Sequence, residues 1–201
     1  AQKAIESGKF SSETFPLELI GTKGKSTMFA HDEHPRPNSS IQDLAKLPPV
    51  FSKEGTVTAG NSSGITDGAA ALLVLDHESL EQNGVKAQAR LVDYEIAGVA
   101  PEIMGIGPVP AIRRLLERQK LTLKDIDLIE LNEAFAAQVI ACDRQLNFDS
   151  ERLNVNGGAN AGHCGGVKIG QLRRRYRKGP CGAPLHVDRR SRLGVVDFAG
   201  I

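Results

Sequence analysis

A chain of 201 residues with 40% hydrophobic and 24% charged residues has an ordinary globular composition and can bury a sizeable core. Its net charge of +1 gives no average reason to expect nucleic acid as a partner. No apolar run reaches the roughly 18 residues of a membrane-spanning helix, so the sequence predicts no membrane span. The three cysteines are few and odd in number, which argues against a disulfide framework and for a reducing compartment.

The charge is divided unevenly along the chain. Residues 165–201 hold nine Lys/Arg and two Asp/Glu, which leaves 16 Lys/Arg and 22 Asp/Glu for residues 1–164. We therefore expect three parts: a turn-rich loop region over 1–60, an α/β domain over 61–164 and a basic tail over 165–201. Residues 31–36, HDEHPR, are typical of a solvated charged loop. The start of the chain, without an initiator Met or a signal-peptide core, is typical of the interior of a longer protein.

The first predicted element in chain order is one or two helical turns over residues 41–47. The aliphatic run at 69–75 predicts a strand that is covered on both faces. Asp76 then predicts the N-cap of a short helix that ends near residues 83–84. Period-two alternation predicts a strand over 89–96.

The alternation of strands and helices continues after residue 100. Pro110 predicts the first turn of a helix, and Thr122 with Asp125 predicts a capping box. The remaining predictions are a buried strand over 126–131, a helix capped by Asn132 and containing Phe135, and a last short strand over 153–155. Strands that alternate with helices indicate an α/β layered fold.

Four segments combine glycine with polar or apolar residues. They are GNSSG at 60–64, MGIGPVP at 104–110, NEAFA at 132–136, and NVNGGA at 154–159 followed by Gly162 and His163. Taken singly, each has a purely structural explanation. The serine at 63 can cap a turn, the methionine at 104 and the phenylalanine at 135 can be core residues, and the histidine can lie on the surface.

In their order and spacing, these segments resemble the thiolase family. The family signature has an NEAFA segment and, roughly 30 residues later, a GHP segment; here Asn132 and His163 stand 31 positions apart. The resemblance covers residues 1–163 and corresponds to the second half of a family subunit, which is about twice this length. It implies a thiolase-like α/β layered fold that is incomplete in this chain.

The resemblance implies an acyltransferase that cleaves 3-oxoacyl-CoA with CoA or forms it by Claisen condensation. Such an enzyme activates a cysteine with a neighbouring base and stabilises negative charge on the thioester oxygen. In the family, the GHP histidine activates the cysteine and lines the oxyanion hole, where the NEAFA asparagine orients a water. The matching catalytic residues are His163 and Asn132.

Substrate-binding residues follow from the same resemblance. Met104 and Phe135 match apolar pocket positions, and Ser63 matches a serine that hydrogen-bonds the pantetheine arm of CoA. The resemblance further implies coenzyme A as a substrate, no permanently bound cofactor or metal, and a homo-oligomer for the full-length protein. We expect a cytoplasmic location, with mitochondrial and peroxisomal forms left open.

The chain departs from the family pattern at its cysteines and around His163. The family's nucleophilic cysteine belongs to a segment that this chain lacks, and its C-x-G-G-G segment is absent, since Cys181 is followed by Gly-Ala-Pro. The loop is one residue shorter before His163 and about three shorter after it, and a slip of one residue moves a side chain by up to ~3.5 Å. We therefore expect this chain alone to be catalytically inactive.

Two hypotheses account for the aberrant basic tail. The first is a shifted reading frame: residues 189–192 can be encoded by CGG CGG TCA AGG, which one base later contains codons for Gly-Gly-Gln-Gly, a sequence common there in the family. The second makes the chain a non-catalytic binding module in which residues 173–178 contact nucleic-acid phosphates. Within the family, a decarboxylating or sterol-carrier-type relative is a further alternative, which the NEAFA and GH motifs disfavour.

Overall fold

The computed structural model describes residues 1–12, 14–64, 73–87 and 89–158, and the backbone of 193–196. Its helices and strands are α1 (Gln2–Glu6), β1 (Leu17–Ile20), β2 (Ser26–Phe29), α2 (Ile41–Leu44), α3 (His77–Gln82), α4 (Pro108–Gln119), β3 (Leu128–Leu131), α5 (Ala136–Leu146) and β4 (Leu193–Val196). Two 3₁₀ segments, Pro101–Ile106 and Leu123–Asp125, flank α4. In the described part of the chain, no helix is long and apolar enough to cross a membrane.

The hydrophobic core lies where β3 meets α4 and α5. All four residues of β3 are buried, and Leu131 is 0% exposed. The core cluster consists of Val109, Ile112, Ile126, Ile129, Leu131, Cys142 and Phe148. Strand β3 pairs in parallel with β4, and Ile129 forms a parallel bridge with Leu153. A parallel strand buried under helices is typical of an α/β layered fold, as the sequence predicts.

Helix α4 and the turn after it follow the local sequence signals. Pro110 lies in the first turn of α4, as predicted, and the helix begins two residues earlier at Pro108, where a missing N–H leaves no helical hydrogen bond unmade. Lys120 ends the helix in the left-handed conformation, with a φ of 54°. The predicted capping box is confirmed: the N–H of Thr122 donates to Oδ2 of Asp125 at 2.9 Å.

The two short helices before residue 85 are also confirmed. Asp76 caps α3, because its Oδ1 accepts a hydrogen bond of 2.8 Å from the N–H of Ser79. Helix α2 begins after Ser40, whose side chain accepts from the N–H of Asp43. Most of the strand predicted at 69–75 lies outside the described residues, and 73–75 belong to no strand.

The strand predicted over 89–96 is wrong. Residues 89–96 form no strand, although alternating exposure is visible from Asp93 onward. A period-two pattern makes a strand only when a partner supplies the backbone hydrogen bonds, and no described segment pairs here. Arg118 of α4 holds the segment instead: it pairs with Glu95, and its Nε donates to Asp93 at 2.8 Å. The hydrogen bond from Arg118, followed by those from Gln119 and the N–H of Tyr94, lowers the pKa of Asp93 to about 2.

The predicted start of α5 is also wrong. The helix begins at Ala136, with Phe135 in the N-cap position at φ −141° and ψ 140°, so Asn132 is not its cap. The physical reason is tertiary: the backbone on both sides of Phe135 pairs with residues 61–63 and stays extended until the helix starts. The last predicted strand, at 153–155, reduces to the single bridge at Leu153.

The loop region contains a hairpin that the sequence did not predict. Strands β1 and β2 are antiparallel, with Leu17 opposite Phe29 and Ile20 opposite Ser26. Every residue of both strands is exposed. The rest of 14–60 consists of α2, turns and isolated bridges.

Candidate functional site

The GNSSG and NEAFA segments, 71 positions apart from Asn61 to Asn132, are joined by backbone hydrogen bonds. Ser62 and Phe135 form an antiparallel bridge. On its two sides, the N–H of Ser63 donates to the carbonyl oxygen of Ala134 at 2.8 Å, and the N–H of Ala136 donates to that of Asn61 at 2.9 Å. The structure therefore brings together the two segments that hold the predicted binding residues Ser63 and Phe135, with Ser62 directly opposite Phe135.

The GNSSG segment is braced by its own side chains. Oδ1 of Asn61 accepts from the N–H of Thr58 at 2.9 Å, and Nδ2 of Asn61 donates to the carbonyl oxygen of Thr56 at 2.8 Å. The hydroxyl of Ser62 donates to the carbonyl oxygen of Thr58 at 2.7 Å. Among the described residues, by contrast, the hydroxyl of Ser63 makes no hydrogen bond. Ser63 thus has a fixed backbone and an available hydroxyl.

Asn132 directly follows β3 and is 5% exposed. The loop that leads toward His163 forms hydrogen bonds with the residues on both sides of Asn132. The N–H of Leu131 donates to Oδ1 of Asn154 at 2.8 Å, and the N–H of Glu133 donates to the carbonyl oxygen of Gly158 at 3.3 Å. The structure therefore places residues 154–158 against the NEAFA segment. His163 itself lies outside the described residues.

Gly158 permits the close approach of this loop. A Cβ at this position would lie 2.6 Å from Oε2 of Glu133 and 2.7 Å from its Cβ, closer than real Cβ atoms come. Glycine fits at position 158 because a larger residue would push the loop away from Glu133, whose N–H donates to the carbonyl oxygen of residue 158. This gives a structural reason for one glycine of the NVNGGA motif.

Met104 lies in the 3₁₀ segment Pro101–Ile106, which packs against α5. The thiol of Cys142 donates to the carbonyl oxygen of Gly105 at 3.3 Å, which fixes the residue after Met104 to the helix. The Met104 side chain is 40% exposed and so is not a core residue. Phe135 carries its own apolar neighbour: its ring meets that of Phe51 edge to face, with centroids 5.7 Å apart.

Cys142 is the described cysteine, and it is buried in α5. Burial raises the pKa of its thiol because desolvation disfavours the thiolate, and the nearby Gln138 amide opposes this rise. Cys142 therefore has the environment of a structural thiol and not of a nucleophile. The described residues contain no group of three or more His, Cys, Asp or Glu side chains that could hold a metal ion.

Two contacts of the site were missed in the sequence. Phe51 is 74% exposed and gives no periodic signal, so nothing pointed to its contact with Phe135. His34 lies in the charged stretch that predicts only a solvated loop, yet its imidazole lies directly on Gly64. Both residues come from the loop region and reach the site only through tertiary structure.

Comparison with known proteins identifies the whole arrangement. Residues 1–78 match the family model "Thiolase, N-terminal domain", and residues 85–171 match "Thiolase, C-terminal domain". The chain belongs to the thiolase family. The boundary between the two domain models falls between residues 78 and 85. The predicted division of the chain at residues 60 and 164 stays a prediction. The sequence analysis did not predict that residues 1–78 match the N-terminal domain model.

The similarity to individual thiolases is high but partial. The mitochondrial 3-ketoacyl-CoA thiolase of Bos taurus is 51% identical over 161 residues, which are 80% of this chain and 40% of the bovine protein. The chain thus spans less than half the length of this thiolase.

Solved thiolase structures agree with the fold. The acetyl-CoA acetyltransferase of Bacillus anthracis superposes with a TM-score of 0.77 at 46% identity, over 87% of this chain and 46% of that one. Human mitochondrial 3-ketoacyl-CoA thiolase in complex with CoA gives 0.74 at 45% identity, over 87% and 45%. The dimeric peroxisomal thiolase of Saccharomyces cerevisiae gives 0.74 at 39% identity, over 86% and 45%. The chain therefore has part of the α/β thiolase fold.

Proposed function

We propose that this chain supplies the CoA-binding and oxyanion-stabilising side of a thiolase active site, for CoA-dependent cleavage or Claisen condensation of 3-oxoacyl-CoA. The observation that supports the proposal is the backbone pairing of residues 61–63 with 134–136, in which the N–H of Ser63 bonds to Ala134, the residue before Phe135. Two segments distant in sequence are held in one register by two backbone hydrogen bonds. A thioester substrate needs such fixed groups around its reacting end.

In this proposal Asn132 and His163 serve the reacting thioester. Asn132 is buried next to the loop that leads to His163, so its side chain is oriented by its surroundings and not by solvent. His163 is the base for a cysteine thiol and a donor to the developing oxyanion. Asn132 orients a water as a second donor. Both roles rest on the family resemblance, and the buried position of Asn132 further supports its role.

Ser63, Met104 and Phe135 bind the substrate in the same proposal. The hydroxyl of Ser63 has no partner among the described residues and can bond a pantetheine amide. Met104 keeps a large exposed fraction on a segment anchored to α5, as expected for an apolar pocket wall that is covered when substrate binds. Coenzyme A is the proposed substrate, and we propose no permanently bound cofactor or metal.

The complete enzyme is proposed to be a homo-oligomer in the cytoplasm, with the mitochondrion and the peroxisome as alternative locations. The dimeric yeast thiolase supports the oligomer, and the mitochondrial bovine and peroxisomal yeast thiolases support the alternatives. The competing function is nucleic-acid binding by residues 173–178, which lie outside the described part. We expect no binding of the chain to a random DNA duplex at low salt.

Calorimetric titration of the chain with CoA tests the proposed function. We expect saturable binding that Ser63→Ala weakens about three- to tenfold, the effect of one neutral hydrogen bond. Ser62→Ala is the matched control, because the Ser62 hydroxyl is already bonded to Thr58 and should not contact CoA. An equal loss in both variants would contradict the role of Ser63, and the absence of CoA binding would contradict the proposed function.

A further inference from the structure

The charged loop at 31–36 reaches the site through one side chain. The backbone N–H of His34 donates to Oδ1 of Asp32 at 3.0 Å. This hydrogen bond forms a local turn that constrains the backbone at His34. Its imidazole then lies on Gly64, the residue after Ser63. A Cβ at position 64 would lie 2.5 Å from Cε1 and 2.6 Å from Nε2 of this ring. Gly64 therefore leaves the space that the His34 ring occupies.

The ring of His34 adds two polar nitrogen atoms next to the segment 61–64, where most side-chain polar groups are already hydrogen-bonded. The side chains of Asn61 and Ser62 form hydrogen bonds with the backbone of residues 56–58. The His34 side chain makes no hydrogen bond within the described residues, and the residue is exposed. A neutral imidazole offers one donor and one acceptor. A pantetheine arm, with two amide groups along an otherwise apolar chain, has the complementary donors and acceptors.

We propose that His34 is a second polar contact for the pantetheine arm of CoA, and that Gly64 is a glycine because the imidazole must seat there. This inference rests on the proposed function, since it assumes that the arm passes Ser63. His34 is a binding residue in this account and takes no part in the chemical step. The hydrogen bond that the backbone N–H of His34 donates to Asp32 and the open space at Gly64 together favour this position of the ring.

A double-mutant cycle tests the proposal, with NMR titration of the chain by CoA and separately by pantetheine. His34→Ala should weaken both ligands about three- to tenfold, and His31→Ala, a nearby exposed histidine of the same loop, should change neither. Gly64→Ala should weaken binding in the original chain by displacing the ring. In the His34→Ala background it should cost clearly less, because the atoms that it clashes with are gone.

The outcomes separate this inference from the proposed function. If CoA binds and Ser63→Ala weakens it while His34→Ala behaves like His31→Ala, the inference alone is overturned. Strictly additive effects of Gly64→Ala and His34→Ala would also overturn it. If His34→Ala weakens CoA but not pantetheine, His34 contacts the nucleotide phosphates and not the arm, which contradicts the proposal. A chain that binds neither ligand would overturn both the inference and the proposed function.

Discussion

Residues 101–158 and residues 14–64 differ in how much apolar surface they bury. The first segment surrounds β3 with α4 and α5 and contains nearly all of the buried apolar residues. The second has an exposed hairpin, a four-residue helix and turns. It meets the first at few places, chiefly the pairing of 61–63 with 134–136 and the contact between Phe51 and Phe135. The comparison shows a well-packed core unit and a loop region that is positioned by a small number of specific contacts, and the candidate site lies where the two meet.

The largest expected difference between the two regions is in the cost of truncating a leucine. Leu131 is 0% exposed in the centre of the core, so Leu131→Ala should lower the free energy of unfolding by about 2–5 kcal/mol. Leu19 in β1 is 49% exposed, and Leu19→Ala should cost less than about 1 kcal/mol. Urea unfolding followed by circular dichroism measures both. Equal losses in the two variants would contradict the division into a core unit and a loop region.

The next prediction concerns the loop that approaches the NEAFA segment. Gly158→Ala places a methyl group against Glu133 and should destabilise the chain by about 1–3 kcal/mol. Gly98→Ala is the matched control, because a Cβ there meets nothing within 4 Å. The same urea unfolding measures both variants. The predicted packing would be refuted by a Gly158→Ala chain as stable as the Gly98→Ala chain.

Local signals predicted much of residues 101–158. Proline in the first turn of a helix, the Thr122 capping box and the apolar run of β3 act within a few residues, and tertiary contacts reinforced them. The start of α5 could not be predicted this way, because the pairing of Phe135 with Ser62 overrode the cap signal of Asn132. The segment 89–96 failed because alternation encodes a strand only when a partner is present.

The candidate site was predictable only in part for the same reason. The resemblance named Ser63, Met104, Asn132, Phe135 and His163, whose roles stay predictions, and the structure pairs the segments that hold Ser63 and Phe135. His34 and Phe51 carry no local pattern, since each reaches the site from a loop whose path depends on distant contacts. Spacing along the chain cannot show that a charged loop folds back onto a glycine.

The smallest predicted effect concerns the segment held by Arg118. The pKa of Asp93 is lowered to about 2, chiefly by its hydrogen bond from Arg118, so the unfolded chain binds this proton at a higher pH than the folded chain. The contribution to stability is therefore complete above about pH 4 and is lost as the pH falls toward 2. The N–H of Tyr94 donates to Oδ1 of Asp93, so its amide exchange, relative to the intrinsic rate at each pH, should accelerate over that range. In Arg118→Ala the exchange should already be fast at pH 5, and unchanged protection there would contradict the anchoring role.

The central claim is that the paired segments 61–64 and 132–136 form a CoA site. Its most direct test is NMR mapping of the isotopically labelled chain during titration with CoA. The account predicts that shift changes concentrate at Ser63, at Met104 and within 132–136, with the Leu17–Ile20 hairpin strand unaffected. Shift changes confined to the basic residues of 165–201 would show attraction of phosphates to the tail and would contradict the claim.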